Sequence, residues 1–476
     1  MNTAHPQPAS WAELLHGRNA LRSIALAGGV ALHAINVYIV TTILPTVIAD
    51  IGGLAFYAWS TTLFVATSII GSTLSAQLIE RLGARAAFLL ALAVFSLGSV
   101  ICAAAPSMPV LLIGRSVQGL GGGILFALSY ALIRLIFDER LWPRAMAMVS
   151  GMWGVATLCG PAVGGIFAQG GHWRWAFWSL LPVAALLALI VINQLHGKVA
   201  ASTRATRPPY GLIACLVASV LAISAASLAQ QLLWNLLGIG AGLALAVLIA
   251  RLDHQPERRL LPSGAYSLGT PLGKLYAVMC LLIAAVTTEI FVPYFLQAIH
   301  GLSPLAAGYM TAAMAAGWTL AALCSASRTG EAAERMIRVG PGIVLAALLG
   351  LALMTGQQAW LGSTGGLAVY CLALAGVGLG IGLGWPHLLT KVLSAAPPGE
   401  ENLTSASITT VQLYATALAA ALAGVVSNSA GLVEPGGVAG AQQAATWLFA
   451  VFAIAPLLTW LLVWRLTGTA PKVMAR

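Results

Sequence analysis

Long uncharged apolar stretches, separated by short polar or charged runs, set the pattern of this chain. Fourteen such stretches occur, at 22–46, 56–78, 86–105, 109–133, 145–169, 175–195, 210–228, 232–250, 275–296, 305–326, 339–356, 365–390, 404–428 and 443–464. A helix of roughly 20 apolar residues crosses the hydrocarbon core of a bilayer, so each stretch is read as one crossing. The pattern predicts an all-α polytopic membrane protein with 14 transmembrane helices. Composition agrees: 8% of residues are charged and 59% hydrophobic, with a mean hydropathy of +0.90. That balance excludes a soluble domain.

Charge tests the helix count. Of 23 Lys and Arg, 21 fall in the tails or in alternate loops, while the other loops hold only Arg174 and the membrane holds Arg115. A miscounted helix would scramble this asymmetry, which places both termini in the cytoplasm. The net charge of +10 then reflects orientation against anionic lipid rather than nucleic-acid binding. Residues 1–21 are largely polar, with Pro6 and Pro8, and do not read as a cleavable signal. The six cysteines all fall within predicted helices as small apolar packing residues, with no disulfide frame and no metal spacing.

Polar residues inside the apolar stretches carry the candidate chemistry. Arg115 lies in the uncharged run 109–133, where a guanidinium costs about 2.5–3.5 kcal/mol on insertion scales. Arg115, Gln118, Gly119 and Gly122 recur on one helix face, combining a charge, an amide and two bare backbone patches. Either Arg115 ties helices together or it belongs to a transport pathway. In the first stretch His33 and Asn36 share one face, and Tyr38, Thr41, Thr42 and Pro45 share another. Two polar faces imply that one meets a cavity. His33 reads as a satisfied core histidine or as a proton carrier. Glu289, the sole carboxylate placed inside an apolar stretch, is a candidate proton-exchanging group or a solvated residue of the far mouth. Trp153, Trp318 and Trp385 lie well inside helices, where they fill space or stack on a flat cationic ligand.

Loops and glycines add a second set. Glu80, Arg81, Gly83 and Arg85 suit a short turn at Gly83 pinned by ion pairs. Gly160-Pro161-Ala162-Val163-Gly164-Gly165 combines a helix-kinking proline with glycines that admit a close neighbour. His172-Trp173-Arg174-Trp175 sets aromatics at the interface level.

These motifs, in this order, resemble the major facilitator superfamily, specifically its fourteen-helix drug:proton antiporter branch. Glu80, Arg81, Gly83 and Arg85 fall on the D, R, G and final R of its loop pattern G-x-L-x-D-R-x-G-R-R. Arg115, Gln118, Gly119 and Gly121 match R-x-x-Q-G-x-G. Gly160, Pro161, Gly164 and Gly165 match the antiporter signature G-P-x-x-G-G. Pro293-Tyr294-Phe295-Leu296-Gln297 also looks like this branch. One departure stands out: where the branch carries an acid in its first helix this chain has Asn36, which cannot titrate.

The resemblance implies a cytoplasmic tail (1–21), an N-terminal six-helix bundle (22–195), a linker (196–209), an extra two-helix hairpin (210–250), a second linker (251–274), a C-terminal six-helix bundle (275–464) and a cytoplasmic tail (465–476). It implies a monomer in the bacterial cytoplasmic membrane that exports drugs or other lipophilic or cationic small molecules by alternating access, driven by protons. Glu289, His33 and Arg115 are the proton-coupling candidates. Asn36, Tyr38, Thr41, Gln118, Trp153, Tyr294, Trp318 and Trp385 are the cleft candidates. Glu80, Arg81, Gly83, Arg85, Gly119, Gly160, Pro161, Gly164 and Gly165 are the conformational ones. A dedicated exporter of one metabolite or siderophore, a proton-coupled importer and facilitated diffusion stay open. Neither Gly197-Lys198 nor Gly273-Lys274 is followed by Ser or Thr, so no phosphate loop supports ATP drive. No nucleophile–base pair or ligand cluster marks an enzyme, a cofactor or a metal. Small molecules, protons and membrane lipid are the expected partners, and nucleic acid is not.

Overall fold

The structure, a computed structural model, describes residues 10–195, 209–229, 231–253, 259–357 and 363–467. The expected tails in large part, nearly all of the linker 196–209 and the run 254–258 lie outside the described residues. Every regular element among those described is a helix. The main ones are α1 (Gly17–Ile51), α2 (Tyr57–Ala103), α3 (Met108–Ala131), α4 (Trp142–Gln169), α5 (Leu180–Gln194), α6 (Tyr210–Ala226) and α7 (Leu232–Leu252). There follow α8 (Pro271–Thr287), α9 (Val292–His300), α10 (Pro304–Ser325), α11 (Gly330–Met354), α12 (Thr364–Ser394), α13 (Glu401–Ser429), α14 (Gly437–Phe452) and α15 (Ile454–Thr467).

Twelve helical stretches among the described residues are long and apolar enough to cross a membrane. One of them, Leu54–Ala103, has 50 residues, about twice what a bilayer requires. It breaks at Gly83, whose φ of 80° and ψ of 162° leave the helical region for one that a residue without Cβ enters at no steric cost. The ion pairs expected to pin this turn do not form: among the described residues Glu80, Arg81 and Arg85 have no salt bridge, and all three side chains are exposed. Exposed pairs gain little over water. Helix α6 has 17 residues and is apolar but shorter than the twelve.

Local chemistry sets several helix starts. Ser303 accepts from the Ala306 N–H ahead of Pro304, and Thr270 accepts from the Gly273 N–H ahead of Pro271, so a cap and a first-turn proline coincide. The ninth apolar stretch, expected as one helix, is interrupted by a 3₁₀ turn at Thr288–Phe291 between α8 and α9. Pro293 has no N–H to offer the preceding turn. The Thr287 and Thr288 hydroxyls bond back to the carbonyls of Ile283 (2.7 Å) and Ala285 (2.9 Å), which bends helices locally.

Packing is most extensive between α2 and α3, between α10 and α12, between α1 and α4 and between α11 and α12. Helix α10 also packs on α4, and α13 on α2, α8 and α6. Among the described residues one end of the helices carries most of the charges, including Arg81, Arg140, Arg259 and Lys391, and the other carries few, among them Asp50 and Arg174. At the charge-poor end Asp50 accepts from the Trp173 indole (3.0 Å) and Arg174 (2.7 Å), and Arg174 also reaches the Ala105 carbonyl (3.0 Å). At the charge-rich end Glu400 accepts from the Ser263 N–H (2.6 Å), the Ser263 hydroxyl (2.7 Å) and Arg259 (2.8 Å). Burial works against the Glu400 anion, but these donors hold its carboxyl below the usual range.

Candidate functional site

Arg115 is 2% exposed and is hydrogen-bonded within the protein. Its Nε donates to the Ser60 carbonyl (3.3 Å) and its guanidinium to Gln118 Oε1 (2.5 Å). Gln118 Nε2 donates in turn to Ser99 Oγ (2.8 Å), which donates to the Phe95 carbonyl (2.9 Å). The face of Phe64 lies 4.1 Å from the guanidinium carbon, which adds a cation–π contact. Among the described residues no carboxylate pairs with Arg115. Together Arg115 and Gln118 stitch α3 to both parts of α2.

Glycines make this approach close enough. A Cβ at Gly119 would lie 2.2 Å from the Phe64 carbonyl oxygen, and one at Gly122 would lie 2.8 Å from His33 Nδ1. His33 is thereby brought to α3, with ring centroids 5.2 Å from Phe64, 5.4 Å from Phe126 and 6.2 Å from Trp153. Its Nδ1 is buried and has no well-formed hydrogen bond. One turn on, Asn36 is 0% exposed and neither amide atom has a partner. An orphaned amide at this depth is costly.

The other face of α1 meets the C-terminal part of the chain. Half-buried Tyr38 sits within reach of Thr157 and of the charge on Glu289. Glu289 is half-buried in the 3₁₀ turn between α8 and α9. Thr41 and Thr42 bond back to the carbonyls of Val37 and Tyr38. The Gly160–Gly165 motif works on two sides: a Cβ at Gly160 would lie 2.3 Å from Tyr38 Cβ, and one at Gly165 would lie 2.6 Å from Leu305 Cα on α10. Pro161 lies against Gly308 of α10, which also touches Thr42.

Beyond Glu289, toward the charge-poor end, aromatics close the space between α2 and α9. Tyr57 stacks on Phe291 (4.7 Å) and meets Tyr294 (5.5 Å), while Phe291 stacks on Phe295 (5.9 Å), which meets Phe449 (6.3 Å). Tyr57, Phe291 and Phe295 are buried. Trp318 of α10 and Trp385 of α12 form a separate pair, 5.0 Å apart and edge to face.

The candidates thus fall into groups. Arg115, Gln118 and Gly119 form one interior network, with His33 and Trp153 beside it; Tyr38 lies within electrostatic reach of Glu289; Trp318 and Trp385 stand apart. Phe64, Ser60, Ser99, Phe126 and Thr157 also take part, although sequence reasoning did not name them. Their only signal is tertiary, since a phenylalanine or serine in an apolar helix is otherwise unremarked.

The family model of the Major Facilitator Superfamily matches residues 26–420. A protein of Mycobacterium tuberculosis named a probable multidrug-efflux transporter is 40% identical over 463 residues, covering 96% of this chain and 97% of that one. The multidrug transporter protein MdtP of Bacillus subtilis is 26% identical over 81% of this chain and 71% of its own. A solved POT peptide transporter superposes with a TM-score of 0.69 at 14% identity, covering 97% of each chain, a likeness of fold alone. With its helical architecture, its glycine-mediated packing and these matches, the chain belongs to the Major Facilitator Superfamily.

Proposed function

We propose that this protein is a secondary active transporter that expels drugs and other lipophilic or cationic small molecules from the bacterial cytoplasm in exchange for protons. In this reading the break at Gly83 divides α2 into two spans and α6 is a span as well, giving fourteen. Residues 22–195 and 275–464 are the two six-helix bundles, 210–250 the inserted hairpin, and the charge-rich end the cytoplasmic one, in keeping with the positive-inside asymmetry. The bundles rock about a midplane site, exposing it alternately to either side. The full-length similarity to a probable multidrug-efflux transporter supports export.

One observation carries the coupling: Glu289, at a helix break in the proposed C-terminal bundle, lies close enough for its charge to act on Tyr38 of α1 in the proposed N-terminal bundle. A carboxylate at the seam can take a proton from one side and release it to the other as the seam moves. When ionised it attracts a cation, and Tyr38, Tyr294 and Trp153 offer aromatic faces to that cation. Asn36 cannot serve as the acid, so His33 is the second candidate for proton binding. Arg115 holds α3 against α2 so that the bundle moves as one body.

Glu289→Gln keeps shape and loses the titrating group. Cells carrying it should lose ethidium efflux at least tenfold, with unchanged protein abundance in the membrane. Efflux at the level of the unaltered protein would remove Glu289 from the coupling role.

A further inference from the structure

Helices α6 and α7 are hydrogen-bonded to their surroundings at both ends, which a pair of passive lipid-facing helices would not need. At the charge-poor end Ser227, just after α6, is 3% exposed. Its hydroxyl accepts from the Trp59 indole of α2 (3.3 Å), and its carbonyl accepts from Asn428 Nδ2 of α13 (2.8 Å). The same Asn428 nitrogen donates to the Ala55 carbonyl beside α2 (3.0 Å). Farther along, Ser219 pairs with the Tyr414 hydroxyl of α13 (2.8 Å), and the Asn235 amide of α7 pairs with Ser429 Oγ (2.8 Å). At the charge-rich end the Tyr210 hydroxyl donates to Gln77 of α2 (2.6 Å). Between these ties Val220, Ile223 and Ala226 pack against Phe64 and Val65 of α2 and against Ala417, Ala421 and Val425 of α13. Helix α6 therefore lies along the seam between one helix of each bundle.

We infer that the α6–α7 hairpin is a latch: it travels with α13 and grips the charge-poor end of α2 through the Trp59–Ser227 bond, beside the direct tie from Asn428 of α13 to Ala55, and this grip must part before the outer mouth opens. The structure has that mouth shut, with Tyr57, Phe291 and Phe295 buried in one aromatic stack. Opening it draws α2 away from α13, and a hairpin bonded to both cannot follow both. Three hydrogen-bonded contacts bind it to α13, at Tyr414, Asn428 and Ser429. Among the described residues its hydrogen bond to α2 at the outer end is made by Trp59, while Tyr210–Gln77 lies at the far end, where it can act as a pivot. The proposal rests on the alternating-access reading above.

Covalent bridges separate the two ideas, in a chain whose six native cysteines are replaced by alanine. A Cβ at Gly424 would stand 3.6 Å from Ser227 Cβ and 2.9 Å from Ala58 Cβ, close to disulfide geometry in the first case. The Gly424→Cys, Ser227→Cys bridge joins hairpin to α13 and should leave ethidium efflux within twofold of the reduced protein. Trp59→Cys with Ser227→Cys, joined by a short bis-methanethiosulfonate reagent, ties hairpin to α2 and should cut efflux at least tenfold, with reductant restoring it. Full efflux with that second bridge in place overturns the latch. Gly424→Cys with Ala58→Cys ties α13 directly to α2. Full efflux there overturns alternating access itself, whereas arrest there beside full efflux in the Trp59 bridge removes the latch alone. Trp59→Phe gives a gentler test, because it loses only the donor. With spin labels at exposed Ala49 and Val438, the outward-open fraction should rise at least threefold, and an unchanged distance distribution rejects the latch.

Discussion

A guanidinium in a membrane helix demands partners, and Arg115 finds them without any acid. The Ser60 carbonyl, Gln118 Oε1 and the Phe64 face divide its donors and its charge among them. This arrangement uses the planar fork of arginine, because one ammonium cannot reach a carbonyl, an amide and a ring face at once. Arg115→Lys should therefore fold but lower the thermal unfolding midpoint in detergent, by a stability loss of about 1–3 kcal/mol, the cost of leaving a buried acceptor unpaired. An unchanged midpoint would mean that the network is not needed to hold α3 on α2. Asn36 is the opposite case, an amide with no partner at either atom. Packing does not reward such a residue, so its presence on the α1 face beside His33 argues for a role in which polar atoms are engaged only part of the time.

Helix pairing was legible where bare backbone meets bare backbone. The face of Arg115, Gln118, Gly119 and Gly122 could be read from helical spacing, and the structure puts it against α2 and His33. The turn at Gly83 was legible too, since glycine followed a charged run. What could not be read were contacts between residues far apart in the chain, each made by an ordinary side chain: Asp50 with Arg174, Ser219 with Tyr414, Trp59 with Ser227. No spacing rule links such pairs, and only the packing of whole helices does. Nor did the sequence show the 3₁₀ turn that interrupts the ninth stretch, because threonine back-bonding and Pro293 act together there. The loop between α7 and α8 makes a further test at this scale. Glu400 has a depressed folded carboxyl pKa, held down by Ser263 and Arg259, so its contribution to stability is complete above the unfolded glutamate value, about 4.3, and is lost as pH falls through the folded value. Glu400→Gln should lower the thermal midpoint at pH 7 and narrow its gap to the unaltered protein as pH drops below about 4. A gap of constant size across that range would mean that the ionised carboxylate does not anchor this loop.

Across the whole molecule, the placement of acids sets what kind of exchange is available. The other described carboxylates lie near the outer ends of helices, in loops or beside the Gly83 break, whereas Glu289 lies in a turn that interrupts one of the long apolar stretches. Arg115 is buried and held by the Ser60 carbonyl, Gln118 and the Phe64 ring, so in the proposed cycle its charge stays within one bundle. In the proposed cycle a single carboxylate at the seam would exchange one proton for each substrate. For a monovalent cation that exchange moves no net charge. A pH gradient then supplies about 1.4 kcal/mol per unit, and a membrane potential, although worth about 2.3 kcal/mol per charge at 100 mV, supplies nothing. For a neutral lipophilic substrate the same cycle moves one positive charge inward, and both gradients contribute. Proteoliposomes with pH and voltage imposed separately distinguish these cases. Ethidium transport should follow the pH gradient and ignore a potassium diffusion potential, while a neutral substrate should respond to both. If voltage at constant pH drives ethidium as strongly as the pH gradient does, a second charge must move with the substrate, and His33, buried beside the Phe64 ring that also meets Arg115, becomes the residue to replace next.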